Sequence, residues 1–341
     1  MGMFHRANWA GLFFAALLPT IAHADPIAFY KGKTVALVVS SSAGGGYDTL
    51  ARVVARHMPK FIPGQPHVVV QNMPGAGGLT ATNWLYSVAP RDGTVLATIN
   101  NNVPFEPMLG APGAKFDAAK FGWLGSPSVE TGLLVVWKNV SNDSVEKIRK
   151  TELTVGSTGA NSSPSYFARL MNEALRTKLK IVVGYPGQTE AFLAMERGEI
   201  EGYPSAFYST LLSTKADWLK DGTLKVVLQY GPKKETDLPD VPFAPDLASE
   251  QDDKLLLAAG LAPLALGRPY LMPPEVPADR LEAMRKAFLD TIADPGFLAD
   301  AKKIGVQINA RQSGADLQDL IERTYKTPPN VIERLRALST H

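Results

Sequence analysis

From Val38 to Val54 the chain reads VVSSSAGGGYDTLARVV, and its three adjacent glycines, Gly44 to Gly46, part a β-branched apolar run from a helical pattern at Leu50, Val53, Val54 and Met58. Such a turn presents unpaired N–H groups and the positive end of a helix dipole, with no side chains in the way. The chemistry that suits it is the holding of an anion by main-chain donors. Asp48 is placed to cap the helix. Two further turns share the pattern. In NMPGAGGLT, Gly75, Gly77 and Gly78 lead into a helix; in GSTGANSSPSY, Ser163 stands at the N-cap position with Pro164 first inside. A dinucleotide loop needs G-x-G-x-x-G and a triphosphate loop needs G-x-x-x-x-G-K-[ST]. Neither is present: Thr49 stands where the later glycine would be, and no lysine follows any of the three loops where a phosphate would need it. One glycine-rich turn reads equally well as tight packing. Three of them, all with hydroxyl or amide neighbours, favour a small anion.

Groups for bond-making chemistry are scarce. His5 and His23 fall in the first 24 residues, His57 late on a helix, His67 at a strand start and His341 at the end. There is no G-x-S-x-G, and with no cysteine there is neither a thiol nucleophile nor a disulfide. The acid pairs Asp252/Asp253 and Glu199/Glu201 lie in polar turns or beside a strand, and no cluster has metal-ligand spacing. The expectation is binding without catalysis, cofactor or metal. The 35 basic and 33 acidic residues are interspersed, which argues against nucleic acid.

The first line, MGMFHRANWAGLFFAALLPTIAHADP, has Arg6, an apolar stretch from Ala10 to Ile21 and a small-x-small ending at Ala22 and Ala24. This predicts a signal peptide over 1–24, cleaved after Ala24. Without cysteine there is no site for a lipid anchor, and the most apolar later stretch, LLLAAGLAPLALG, is broken by Gly260 and Pro263. A soluble protein of the periplasm is expected.

Strands alternating with helices position the glycine loops. KTVALVVS, HVVVQN and TVLATIN are strands of a first unit, and GLLVVWKN, LTVGST, KIVVGY, EIEGYPS and TLKVVLQY belong to a second. The alternation implies two α/β domains, each with a parallel sheet covered on both faces. The irregular segment Leu109–Ser128 reads as crossing chain, and the helical tail, with Leu281, Met284, Phe288 and Ile292 on one face, needs a sheet to pack on. The expected domains are therefore 25–125 with 263–341, and 126–262.

The run from GGGYD through PGAGG to the P-x-DG turn at Pro90–Gly93 resembles the N-terminal signature of the periplasmic solute receptors of tripartite tricarboxylate transporters, also called Bug receptors. VGYPG, AMERGEIEG and LPDVP at Leu238–Pro242 extend the likeness over nearly the whole chain after residue 24. The resemblance implies a type II periplasmic-binding fold, with two α/β domains, crossing hinge strands and a ligand cleft between them. It implies a monomer that captures a small carboxylate by closure and delivers it to large and small membrane permease subunits. The same fold could instead report to a sensor kinase as a carboxylate-sensing receptor; an exported enzyme is a remote alternative. Carried over by position, the ligand contacts are Ser42, Gly44, Gly45, Asp48, Ala76, Gly77, Asn100 and Asn101 from the first domain. Ser157, Thr158, Gly159, Ser162, Ser163 and Tyr185 come from the second, with Ser205 or Tyr208 standing where many relatives carry an acidic or amide pair. Pro186 replaces the family's lysine in VGYPG, and with Tyr47 and Phe207 suits a bulkier or aromatic ligand.

Overall fold

The computed structural model describes residues 1–2, 26–44, 46–160, 162–306 and 308–339. The expected leader and its cleavage point lie outside them, and so does Gly45. Among the described residues no helix is long and apolar enough to cross a membrane.

The chain first lays down α1 (Pro26–Tyr30), β1 (Thr34–Val39), α2 (Gly46–His57), β2 (His67–Asn72), α3 (Leu79–Ser87), β3 (Val95–Thr98) and β4 (Gly122–Ser126). A second lobe follows: β5 (Gly132–Trp137), α4 (Val145–Lys150), β6 (Leu153–Ser157), α5 (Ser163–Leu175), β7 (Leu179–Val183), α6 (Gln188–Glu196), β8 (Gly202–Phe207), α7 (Tyr208–Thr214), α8 (Ala216–Lys220) and β9 (Leu224–Tyr230). Helices α9 (Ala244–Leu247), α10 (Gln251–Gly260) and α11 (Ala262–Leu266) lead back to β10 (Tyr270–Met272). Then come α12 (Ala278–Ala293), α13 (Pro295–Lys303), β11 (Gln312–Ser313), α14 (Gly314–Tyr325) and α15 (Pro329–Ser339).

The strands form two sheets, ordered β2-β1-β3-β10-β4-β11 and β7-β6-β8-β5-β9. Each lobe thus repeats one plan: second strand, first, third, a crossing strand, fourth. The expectation of all-parallel sheets needs correction, because β10 runs antiparallel to β3 and β4, and β5 antiparallel to β8 and β9. The cause is the route. β5 starts at Gly132 beside Phe207, the end of β8, and β10 starts at Tyr270 beside Thr98, the end of β3. Each crossing segment enters its sheet from the carboxyl edge and must run against its neighbours. The central strands β3, β4 and β5 are buried along their whole lengths, whereas edge strand β2 alternates exposed and half-buried positions.

Leu37, Leu50, Val54, Phe288 and Phe297 pack one face of the first sheet. The other face opens into a core that runs on without a break into the second lobe, joining Leu85 and Trp123 to Phe167, Leu256, Leu264 and Leu335. The C-terminal helix α15 lies against α5 and α10. Its Arg334 bridges Glu173 (2.8 Å) and Asp253 (2.6 Å), while Arg336 donates back to the Met108 carbonyl of the first lobe (3.0 Å).

The crossing segments touch each other. Gly267 has φ +63°, and a Cβ there would lie 1.7 Å from the Ser128 carbonyl oxygen. Ser126 Oγ donates to that same carbonyl (2.8 Å) and accepts from Arg268 N–H (3.0 Å). Gly267→Ala is expected to cost about 3 kcal/mol or more in urea-induced unfolding, combining backbone strain with a steric clash. Gly305→Ala, also at positive φ but with nothing among the described residues within 4 Å of the added carbon, should cost only about 1 kcal/mol. Equal effects would mean that the crossing contact contributes nothing.

Candidate functional site

The three glycine loops stand at the carboxyl edges of β1, β2 and β6, and side chains hold each in shape. Asp48 lies in the first turn of α2, two residues inside its start, and reaches back to the loop. Its carboxylate accepts from Gly44 N–H (2.8 Å), from Asn72 Nδ2 (2.9 Å) and from both Nε and Nη2 of Arg52 (3.0 and 2.9 Å). Arg52, with Gly44 and Asn72, holds the Asp48 carboxyl down at about 2. Asn72 also donates to the Ser41 carbonyl (3.0 Å). Asn100 joins the end of β3 to the second loop: its Nδ2 donates to the Gly77 carbonyl (2.8 Å), and its N–H donates to Ser40 Oγ (3.0 Å).

The second-lobe loop is tied by a knot of hydroxyls. Ser157 Oγ lies at hydrogen-bond distance from Ser162 Oγ (2.9 Å) and Ser165 Oγ (2.7 Å), and all three hydroxyls lie within reach of the Gly159 carbonyl (3.1, 2.8 and 2.7 Å), which their protons share with these mutual bonds. The extended residue before α5 is Ser162, so Ser163 and Pro164 are its first two residues, one place further in than expected. Thr158 sits half-buried between Ser157 and Gly159.

The loop glycines divide into two kinds. Added carbons at Gly75, Gly78 and Gly156 would meet Thr80 (2.6 Å), Val103 (3.1 Å) and Ile200 (2.5 Å). Those positions serve packing. At Gly44, Gly77 and Gly159 nothing among the described residues lies within 4 Å of an added carbon, so there they leave open the space that a side chain would take. Ala76, beside Gly77, has φ +45°, and Ser42 is exposed at the first loop.

Asn101 ties the first lobe to the returning chain, donating its Nδ2 to the Pro263 carbonyl (2.8 Å) and its N–H to Tyr47 Oη (3.1 Å). The Tyr47 hydroxyl donates to the Gly267 carbonyl (3.5 Å), and burial pushes it up to about 12. Arg268 Nη1 donates to the Gly46 carbonyl (3.2 Å), and its Nη2 lies 4.0 Å from Glu130. Burial pushes the Glu130 carboxyl up, and Ser209 Oγ donates to it (2.9 Å). Asn101 and Ser163, from opposite lobes, line one cavity of about 520 Å³.

Of the expected contacts that the structure describes, Asn101 and Ser163 line this cavity and the others are not part of its wall. Ser205 is buried, and Tyr208 is buried with its hydroxyl donating to Asp237 (3.4 Å). Tyr185 packs half-buried against the apolar cluster of Ala191 and Ile200. Sequence reading passed over Arg268 and Glu130. Arg268 did leave a signal, as the lone charge between Leu255 and Met272.

The depressed Asp48 carboxyl fixes a sign. Its stabilisation is complete above the ordinary value of 3.8 and is lost as pH falls from there toward about 2. Asp48→Asn should lower the unfolding free energy near neutral pH by about 2 kcal/mol and flatten that acid-side decline, as read by urea unfolding across pH. An unchanged profile would show that Asp48 does not hold the loop.

A model of the tripartite tricarboxylate transporter family receptors matches residues 50–336. A UPF0065 protein from the TAR-I ttuE-ttuC' intergenic region of Agrobacterium vitis is 30% identical over 206 residues, spanning 56% of each chain. A UPF0065 protein of Bordetella pertussis is 23% identical over 324 residues, 92% of each. Among solved structures, a TctC solute binding protein from Polaromonas superposes with a TM-score of 0.70 at 16% identity, covering 91% of this chain and 98% of that one. MatC from Rhodopseudomonas palustris, with bound malate, superposes at 0.54 with 21% identity over 90% and 99% of the two chains. An R. palustris protein with adipate superposes at 0.57 with 16% identity over 89% and 97%. The fold is that of the two-domain periplasmic binding proteins, and the chain belongs to the receptor family of the tripartite tricarboxylate transporters.

Proposed function

We propose that this chain is an exported periplasmic receptor that captures a small carboxylate between its lobes and delivers it to the large and small membrane subunits of a tripartite transporter. The observation that carries the reading is the cavity bounded by Asn101, which follows β3 of one lobe, and Ser163, which follows the β6 loop of the other. Malate in MatC and adipate in the R. palustris protein support a carboxylate as the ligand class. First-lobe contact is assigned to Ser42, Ala76, Gly77 and Asn101. Asp48 and Asn100 act through the loops that they brace, because Asp48 already occupies the Gly44 N–H.

Ligand seated on one loop offers acceptors to the other, so closure gains free energy only when the cleft is filled. Moving the population from 1:99 to 99:1 takes about 5.5 kcal/mol of differential affinity. The Arg6-containing segment and its small residues support export with cleavage after Ala24.

Screening di-, tri- and aromatic carboxylates by thermal shift should stabilise the protein with at least one acid, by about 2.7 kcal/mol at 100 times its Kd. Stabilisation by nucleotides or sugars alone would overturn the reading. Gly159→Leu, which places a side chain in unfilled space at an ordinary backbone angle, should abolish the ligand shift while changing unliganded stability by less than about 0.5 kcal/mol. Mass spectrometry of the protein from a periplasmic extract should give a chain beginning at Asp25; retention of residues 1–24 would remove the export assignment.

A further inference from the structure

The 520 Å³ cavity is walled mainly by apolar side chains, among them Phe105, Phe167, Phe207 and Leu335, and such a volume can enclose much of a ligand with a sizeable carbon body. Arg169 also lines it. Although Arg169 lies in the second turn of α5, its guanidinium folds back over the start of that helix. Its Nη2 donates to the Ala160 carbonyl (2.9 Å), and its Nε donates to the Leu338 carbonyl of α15 (2.8 Å). Among the described residues no carboxylate lies within 4.0 Å of it, and both of its hydrogen-bond partners are neutral carbonyls. A half-buried guanidinium without a counter-ion, beside a helix start that also favours negative charge, leaves a positive charge for a ligand to meet. Burial pushes this guanidinium down, in keeping with that lack of compensation. Across the cavity Arg336 donates to the Met108 carbonyl (3.0 Å), and Glu106, accepting from Asn102 Nδ2 (3.2 Å), supplies the one acid of the wall.

Building on the carboxylate reading, we propose that Arg169 is a ligand-binding residue, held in place by the C-terminal helix, and that the ligand is an acid whose carboxylate meets Arg169 and Ser163 while an aromatic or medium-chain apolar body fills the cavity. The planar fork of arginine matches a carboxylate, and the aromatic walls match a carbon skeleton. A short polar hydroxy-acid would leave these walls without contact. The C-terminal helix supplies both the Leu338 carbonyl and the Leu335 wall, so it completes the site from outside the two sheets.

The test is calorimetric titration of the mature chain with succinate, malate, hexanoate, 3-phenylpropanoate and the neutral 3-phenylpropanamide. The phenyl acid is expected to bind at least about tenfold more tightly than succinate, and the amide should bind poorly. Arg169→Gln should weaken the acid by about 10- to 100-fold and abolish the preference for acid over amide, a change that a purely structural arginine would not produce. Arg169→Lys should retain part of the affinity. Should the glutamine variant fail to fold, Phe207→Ala keeps the question open to measurement: it should weaken the phenyl acid and leave succinate unchanged. Preference for succinate or malate over the phenyl acid, or an Arg169→Gln protein that binds acids as the wild type does, would overturn the assignment and leave the receptor reading standing. Failure of every acid to bind would remove both.

Discussion

A loop that offers its main-chain N–H groups to a ligand has none of the backbone pairing that fixes a strand or a helix, so something else must hold its shape. Here side chains do so from beneath. The buried Asp48 carboxylate gathers Gly44, Asn72 and Arg52, Asn100 grips Gly77, and three serine hydroxyls converge on the Gly159 carbonyl. These bonds satisfy groups that would otherwise be orphaned, and they fix the loops before any ligand arrives. They also explain why glycine and serine dominate the loops. Glycine leaves space above, and serine supplies short donors below.

That division of labour separates what the sequence revealed from what it concealed. The three glycine loops, the two α/β units and the return of the chain to the first sheet all follow from local periodicity and turn chemistry. Strand direction does not. β5 and β10 look like any other short apolar run, and only the route of the crossing chain makes them antiparallel. Asp48 was legible as a residue that matters, and the structure adds the bond by which it braces Gly44 N–H from inside the helix. Ser205 and Tyr208 are buried and Tyr185 half-buried in the second lobe, and no motif records that burial. Arg169 was invisible for another reason. Its partners, Ala160 and Leu338, lie 9 residues before it and 169 after it, and nothing local announces either.

The hinge is a packed structure rather than a pair of loose linkers. Polar contacts step from one lobe to the other: Asn101 to Tyr47, Tyr47 to Gly267, Arg268 to Gly46 and toward Glu130, and Ser209 to Glu130. Every step includes a residue of a crossing segment or of the first glycine loop. In the proposed closure, rotation of one lobe would pull on the first glycine loop, and a ligand on that loop would in turn bias the rotation. This is the reciprocity that thermodynamic linkage requires of any capture by closure.

The core that continues between the lobes limits how that rotation can occur. Two separate cores would let the lobes swing freely about the crossing strands. A shared one, running through Leu256, Leu264 and Leu335, resists any motion that opens a void among them, since each lost methylene contact is costly. In the proposed closure the easier motion would carry α10 and α15 with the second lobe, to which they are fixed through α5 and the Arg334 ion pairs, while α11 stays with α14 and Asn101 of the first. In that motion the contact from Arg336 to Met108 must change, because it reaches the first lobe while the Arg334 pairs stay within the moving block. The C-terminal helix then does more than cover a surface. It would travel with one wall of the cavity, while its Arg336 bond to Met108 ties it to the other.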